Sequence, residues 1–390
     1  MKNFRILMVH NYYQNPGGED TVFSLEKSLL LEHGNSVFEY VDSNKRIDAL
    51  AHINSAAKTI WSRSSYSAIT KIIKDVRPDI AHFHNTFMLI SPSVYYACAE
   101  MGIPVVQTLH NYRLLCPNAY LFRNGAFCED CIKLKYPLPG FIHKCYRNSY
   151  SQSAIVAGML GIHKLIRTWQ NKIDIYISLT EFARQKFIQG GLPGEKIIVK
   201  PNFVKRSDIP NHTGFGEYAL YIGRLSYEKG VDILLSGWET LQIPLKIVGD
   251  GPLREFAQKC ARNSSFIEYL GQVNHTSVNH LLKMARFLVF PSKLYEGLPI
   301  TIIEAFSCGV PVIAADLASR VGLIRDSETG ILYSSGSPAS LAAKAQWLWN
   351  FPDKCTEMGK NARQEYERNY TPGHNYQMLT DIYDRAMTKK

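Results

Sequence analysis

The chain has 390 residues, 46% of them hydrophobic, which is too long for one ordinary domain and supplies core for two. No run of 18 or more apolar residues occurs, so the sequence excludes a membrane-spanning helix. The formal net charge is +10 and uneven: residues 1–205 hold 24 Lys and Arg against 15 Asp and Glu, residues 206–390 hold 20 against 19. A basic first half suits an anionic membrane surface, a phosphorylated acceptor or a nucleic acid, and equally a solvated surface without a ligand.

The N-terminal "MKNFRILMVHNYY" lacks the apolar run and small-residue cleavage site of a signal peptide. It reads as a first strand at 4–9, which predicts a cytoplasmic protein with reduced cysteines. Further first-half strands are predicted at 80–84 ("IAHFH"), 104–110 ("PVVQTLH"), 173–179 and 196–202. Second-half strands are predicted at 218–224, 245–250, 266–271, 287–291, 311–315 and 330–333. Helical patterns separate them, which means βαβ units and parallel sheets: an α/β chain of two doubly wound domains. The domains are expected at 1–205 and 206–370, with the boundary in the polar stretch 203–217. The tail reads as helical, its last helix over 371–390 crossing back to the first domain. In open α/β sheets the ligand lies at the carboxyl ends of the strands, so the cleft between the domains is the expected site.

Three local patterns in the first half carry chemistry. His82 and His84 alternate along a strand and share a face; with no third ligand in view they read as structural. Cys116, Cys128, Cys131 and Cys145 cluster in the insert 113–150 around a central C-x2-C. Four thiols at such spacing suit a structural zinc, with His143 as an alternative ligand. The same ligands suit an iron–sulfur cluster, a redox pair or buried free thiols. Cys98, Cys260, Cys308 and Cys355 are scattered and read as core. "SAIVAGMLGIHKLIRTWQNK" (153–172) mixes an apolar stripe with Lys164, Arg167 and Lys172, and suits either a domain helix or one lying on a membrane surface.

In "LYEGLPITIIEAFSCGVPVIA" (294–314), two carboxylates stand eight residues apart in apolar surroundings. "RFLVFP" reads as a strand and "SKLYEGL" as the loop after it. Pro299 is expected in the first turn of a helix that runs to about Cys308, with Gly309 at C′. Glu296 then lies in the loop at a strand's carboxyl end and Glu304 on the helix, flanking a helix N-terminus that favours an anion. That set makes a pocket for a nucleoside diphosphate sugar, Glu296 accepting from sugar hydroxyls and Glu304 from a ribose. A Glu304 pointing to water is the plain alternative, but its neighbours are apolar and a buried carboxylate needs partners.

The residues Pro291, Ser292, Glu296, Gly297, Pro299, Glu304, Ala305, Gly309, Pro311 and Val312 form an E-x7-E signature that resembles the retaining glycosyltransferases of family 4, which have the GT-B fold. Other segments resemble that family in the same order. "YIGRLSYEKGVDILL" resembles the loop in which Arg224 and Lys229 hold the diphosphate. "IVGDGPLRE" resembles its G-x-G-P turn, with Gly249 and Gly251. "HNYYQNPGGED" resembles its N-terminal loop, in which Gly17 and Gly18 approach phosphate or acceptor. The resemblance implies a sugar contact near the reacting centre for His110 in "TLHNYR", donor contacts for Glu304, Gly297, Leu298 and Pro299, and a cleft position for Asn202 in "KPNFV". It covers nearly the whole chain, 113–150 least.

The resemblance implies transfer of a sugar from a nucleotide-diphosphate donor, UDP- or GDP-linked, to a glycan or lipid-linked acceptor in bacterial surface polysaccharide biosynthesis. It implies front-face substitution with retention, the leaving phosphate helping to deprotonate the acceptor; a covalent Glu296 intermediate is the alternative. Arg224 as a bidentate fork and Lys229 as a point charge suit the charge that gathers on a leaving diphosphate. No D-x-D occurs, so a catalytic metal or other cofactor is not implied. Competing readings are a sugar phosphorylase, which would usually need a longer chain and a pyridoxal phosphate; a nucleotide-sugar hydrolase; a non-catalytic binder of nucleotide sugars, against which the intact set of Arg224, Lys229, Glu296 and Glu304 speaks; and a nucleic-acid binder, whose binding would fall steeply with salt and ignore sugar nucleotides. Peripheral attachment to the inner face of the cell membrane fits the basic first half.

Overall fold

The computed structural model describes residues 3–14, 17–49, 52–205, 216–320 and 322–388, the side chains of 47–49 and 52–55 excepted. Most of the expected boundary stretch, 206–215, lies outside the described residues. The chain divides into two compact units: residues 1–202, 296–298 and 375–390 form the first, and 203–295 with 299–374 the second.

The first unit is built on strands β1 (Arg5–Tyr12), β2 (Ser36–Ser43), β3 (Ile80–Asn85) and β4 (Val105–Leu109), a small antiparallel ladder of β5 (Phe122–Arg123) with β6 (Ala126–Phe127), then β7 (Ile175–Ser178) and β8 (Ile197–Val199). Six of these form one parallel sheet in the order β2-β1-β3-β4-β7-β8. Every residue of β3, β4 and β7 is buried, as helices on both faces of a parallel sheet require. Strand order reverses at β1, which places a switch-point crevice at the carboxyl ends of β1 and β3. There the β1–β3 register slips, Val9 facing Phe83 while His10 faces Asn85, so His84 is the extra residue of a bulge.

The second unit holds β9 (Tyr218–Ile222), β10 (Leu245–Val248), β11 (Ile267–Gly271), β12 (Ala285–Phe290), β13 (Val312–Ala315) and β14 (Gly330–Tyr333). All pairs are parallel and the order is β11-β10-β9-β12-β13-β14, the dinucleotide-fold order with its switch point between β9 and β12. Its core is apolar, with Leu234, Leu235, Trp238, Ile247, Phe287, Val289 and Ile313 all buried.

The last helix, Pro372–Thr388, starts in the second unit and from Asn375 onward clusters with the first. There Tyr376 stacks on His33 with ring centroids 3.8 Å apart, and its hydroxyl accepts from Asn35 Nδ2 at 3.1 Å. Two details differ from the sequence-based expectation. Residues 153–172 are two helices, Tyr150–Leu165 and Thr168–Asn171, because Arg167 adopts φ 56° and breaks the run. Pro299 is the N-cap residue and not the first turn: its ψ of 120° is extended, and the helix begins at Ile300.

Candidate active site

In the first unit the loop after β1 leads into the helix Gly18–Glu32. The Asp20 carboxylate accepts from the Gly17 backbone N–H at 2.9 Å and meets His10 Nε2 at 2.7 Å, tying the exposed Gly17–Gly18 turn to the end of β1. His110 follows β4 directly, at the carboxyl end of the sheet. Its Nε2 lies 3.0 Å from His84 Nδ1, and the rings stack. Burial and the neighbouring His84 hold His110 well below the ordinary histidine range, so its ring is neutral. Residues 296–298 belong to this unit, and a Cβ on Gly297 would stand 2.7 Å from the His110 carbonyl oxygen, so only glycine fits there. Asn202 is buried and its Nδ2 donates to the Leu298 carbonyl at 3.3 Å. The unit thus brings together His110, Gly297, Leu298 and Asn202, with half-buried Glu296 beside them in the chain.

In the second unit Arg224 is exposed and Lys229 half-buried, in the loop after β9. Two glycines seat that loop. Gly249 has φ +135° and a Cβ there would meet the Gly223 carbonyl at 1.9 Å; Gly251 has φ +157° and a Cβ would meet the Leu225 carbonyl at 2.5 Å. Gly249 and Gly251 therefore hold up the Arg224 loop through backbone contact. The loop 226–230 is paired with the loop after β12 through Lys293 N–H to the Glu228 carbonyl at 3.0 Å. Arg320, fully buried, donates to the carbonyls of Ser292 and Leu294 and so clamps the approach to Glu296. Glu304 is buried on the helix Ile300–Ser307, 3.1 Å from His275 Nε2. That hydrogen bond raises the His275 pKa.

Comparison with known proteins agrees with this fold. A family model described as glycosyl transferases group 1 matches residues 206–365, and one described as glycosyltransferase family 4 matches residues 21–208. The chain belongs to the GT-B glycosyltransferases. Over 158 residues it is 32% identical to the D-rhamnosyltransferase WbpZ of Pseudomonas aeruginosa, covering 40% of this chain and 42% of that one. Over 177 residues it is 28% identical to O-antigen chain mannosyltransferase C of Escherichia coli, covering 44% and 48%. The matches thus span less than half the length of these two relatives. Among solved structures, Anabaena HepE in complex with UDP-glucose superposes with a TM-score of 0.69 over 98% of this chain and 100% of that chain, at 17% identity, a likeness of fold.

The GT-B chain also carries polar residues that the motifs do not mark. Glu19 is one: its Oε2 accepts from Asn111 Nδ2 at 3.1 Å, its Oε1 is shut off from solvent without a partner, and burial pushes its pKa up to about 8. Glu26 is another. Its Oε1 meets Lys200 Nζ at 2.6 Å and its Oε2 faces His84 and His82, all fully interior. Among the described residues Glu26, His82 and His84 are the one set of metal-capable groups with ligand atoms within 4.8 Å of one another, supplying the third ligand that the His pair lacked in sequence. The Lys200 ammonium already neutralises Glu26, and both His82 nitrogens are bonded, to Tyr383 Oη and Thr108 Oγ1 at 2.8 Å each. The set is a charge-satisfied core cluster and not a cation site.

The four insert cysteines do not form such a close set, although they come from one neighbourhood: a turn, the end of the small ladder, the first turn of helix Asp130–Lys133, and the segment after helix Leu138–Ile142. Burial first, then the other three thiols, raise Cys131 to about 12. Backbone hydrogen bonds from Asn118 and Leu121 reach Cys116, and one from Gly140 reaches Cys131. Of the scattered cysteines, Cys98, Cys308 and Cys355 are buried; Cys260 is only partly so.

Proposed function

We propose that this chain is a retaining, metal-independent glycosyltransferase that moves a sugar from a UDP- or GDP-linked donor to a glycan or lipid-linked acceptor in surface polysaccharide synthesis. The observation that carries it is the second unit's switch point, where glycine-seated Arg224 and Lys229 share a crevice edge with the clamped loop that leads to Glu296. Arg224 and Lys229 stabilise the charge that gathers on the leaving diphosphate. Glu304 accepts from the ribose hydroxyls. Gly17 and Gly18 leave the turn after β1 open to phosphate or acceptor, and neutral His110 and Glu296 receive sugar hydroxyls. The relatives' names support surface polysaccharide chemistry, and the UDP-glucose complex of HepE supports a uridine donor first. The test is titration with UDP- and GDP-sugars, then turnover on membrane lipid extract with and without EDTA, and NMR of the product's anomeric configuration. Failure of every nucleotide sugar to bind folded protein with extract present, an inverted product, or activity lost to EDTA and restored by Mg²⁺ would each overturn the corresponding part.

The reading extends to the membrane. No helix among the described residues is long and apolar enough to cross one. The packed helices Leu138–Ile142 and Tyr150–Leu165 expose Leu138 (57%), Ile142 (53%) and Leu165 (71%), with Lys133, Lys135, Arg147 and Arg167 exposed around them. Apolar residues ringed by cations suit the anionic inner face of a membrane. Co-sedimentation with phosphatidylglycerol vesicles that is lost in Leu165→Asp would support it; equal sedimentation of both proteins would count against it. The insert extends it to a structural zinc held by Cys116, Cys128, Cys131 and Cys145, supported by the backbone hydrogen bonds that already reach two of the sulfurs. Elemental analysis near one zinc per chain, falling in Cys128→Ser/Cys131→Ser, is the expected result; iron with acid-labile sulfide, or no metal, would reject it.

A further inference from the structure

The interior of the first unit contains a continuous line of polar groups that ends at His110. Lys200 Nζ lies 2.6 Å from Glu26 Oε1, Glu26 Oε2 lies 3.3 Å from His84 Nε2, and His84 Nδ1 lies 3.0 Å from His110 Nε2. Glu26, His84 and Lys200 are buried, and Glu26 Oε2 and His84 Nε2, neither of which hydrogen-bonds to any other group, face each other as an ion-pair contact at 3.3 Å, too poorly aligned for a hydrogen bond. Such a line is ordered by one asymmetry. A carboxylate only accepts, so the proton between Glu26 and His84 resides on His84 Nε2. A neutral imidazole has one N–H, so His84 Nδ1 is then an acceptor. The proton between the two rings must belong to His110 Nε2, and His110 Nδ1 keeps its lone pair.

We infer that Glu26 is a positioning residue: acting through His84, it fixes His110 in the tautomer protonated on Nε2, so that Nδ1 accepts a hydrogen bond from a hydroxyl of the bound sugar. The inference rests on the reading that His110 faces the donor sugar. The register slip falls at His84, and its ring lies between both neighbours, 3.3 Å from Glu26 Oε2 and 3.0 Å from His110 Nε2. Lys200 keeps Glu26 ionised inside the core: burial raises the carboxyl's pKa, but the ammonium and the two imidazoles hold it well below the usual range. The same residue, Glu26, is therefore a charge partner on one oxygen and a tautomer selector on the other. Orienting carboxylates behind a working histidine act this way in general, setting which nitrogen carries the proton.

The test inverts the line. In Glu26→Gln/Lys200→Met both buried charges go together, and the amide introduced at position 26 can donate to His84 Nε2. Each proton then shifts one place and His110 becomes protonated on Nδ1. Long-range 1H–15N spectra of histidine-labelled protein should show His110 as Nε2–H in the wild type and Nδ1–H in the variant. The donor KM should rise about tenfold with kcat changed far less, as expected for a contact made equally in ground and transition states. Should that variant not fold, His84→Leu leaves the Glu26–Lys200 pair in place and should give a mixture of His110 tautomers. A wild-type His110 protonated on Nδ1, or an unchanged tautomer in the folded double variant, would overturn the relay. A switched tautomer with unchanged donor KM would overturn the positioning role alone. His110→Ala with unchanged donor KM would instead overturn the placement of His110 at the sugar, a failure that the spectra keep separate from the relay.

Discussion

The two units share a fold class and bury different things. The second unit fills the space behind its sheet with Leu234, Trp238, Ile247, Phe287 and their neighbours, and uses buried cations such as Arg320 near the strand ends, where backbone carbonyls receive them. The first unit puts His10, Glu26, His82, His84, Lys200 and Asn375 inside, bonded side chain to side chain. An apolar interior is a support that tolerates variation in volume. A bonded polar interior specifies orientation, and is intolerant of losing one member. The first unit has spent its core on aiming a side chain, the second on holding up loops.

The sharpest way to break this comparison is to remove one charge. Glu26→Gln alone leaves the Lys200 ammonium buried and unpaired, which should cost on the order of 3–5 kcal/mol in urea unfolding. Removing Lys200 as well should restore most of that. In the second unit an equally large loss should require a cavity, as in Leu234→Ala at about 2–5 kcal/mol. If Glu26→Gln costs no more than a surface change, the interior charge pair is not structural. One step smaller in stability, and larger in turnover, are Lys229 in its loop and Glu304 on its helix. Lys229→Ala and Glu304→Ala should each lower turnover about 10²–10³-fold with little change in melting temperature. Near-unchanged kinetics in both would remove them from the site.

Much of the donor side was legible because it is local. The E-x7-E segment, the Arg224 loop and the glycine turn are each contiguous, and their strand–loop–helix grammar is readable from periodicity and glycine. The interior of the first unit was not legible, since Glu26 and Lys200 stand 174 residues apart and look like an ordinary helical glutamate and a strand-end lysine until the fold joins them. The alternation of His82 and His84 signalled a shared face but not what faced it. His275 gave no signal either: it is the first residue of a helix, capped by Asn274, and only the packing brings it to Glu304. The break at Arg167 has no glycine or proline to announce it.

The His275–Glu304 pair sharpens the comparison on the second unit's side, at the surface. The Glu304 hydrogen bond raises His275 above its usual 6.5. The stability it contributes is therefore complete below about pH 6.5 and is lost as pH rises through the raised value. If ribose hydroxyls take over Glu304, His275 loses its partner, its pKa falls and binding releases a proton. Nucleotide affinity should then increase with pH through that window, and calorimetry in buffers of different ionisation enthalpy should show the released proton. His275→Gln should abolish both dependences; a pH slope that survives it belongs to another group.

A last contrast concerns Glu19, which differs from Glu26 within one helix. Glu26 has an ammonium beside it and stays ionised in the interior. Glu19 has an amide, Asn111, on one oxygen and nothing on the other, and Arg113 lowers its pKa less than burial raises it, so its pKa stands at about 8 against 4.5 for the free side chain. Here the sign is opposite to that of a salt-bridged acid. Between about pH 4.5 and 8 the folded state binds the proton that the unfolded state has released, so stability falls as pH rises. Glu19→Gln keeps the shape of the protonated acid and removes the titration. Its melting temperature should match the wild type below about pH 4.5, exceed it increasingly up to pH 8, and exceed it by a constant amount above. A variant that is instead less stable than the wild type at pH 8 would mean that Arg113 holds Glu19 ionised, and that Glu19 and Glu26 are alike charge partners.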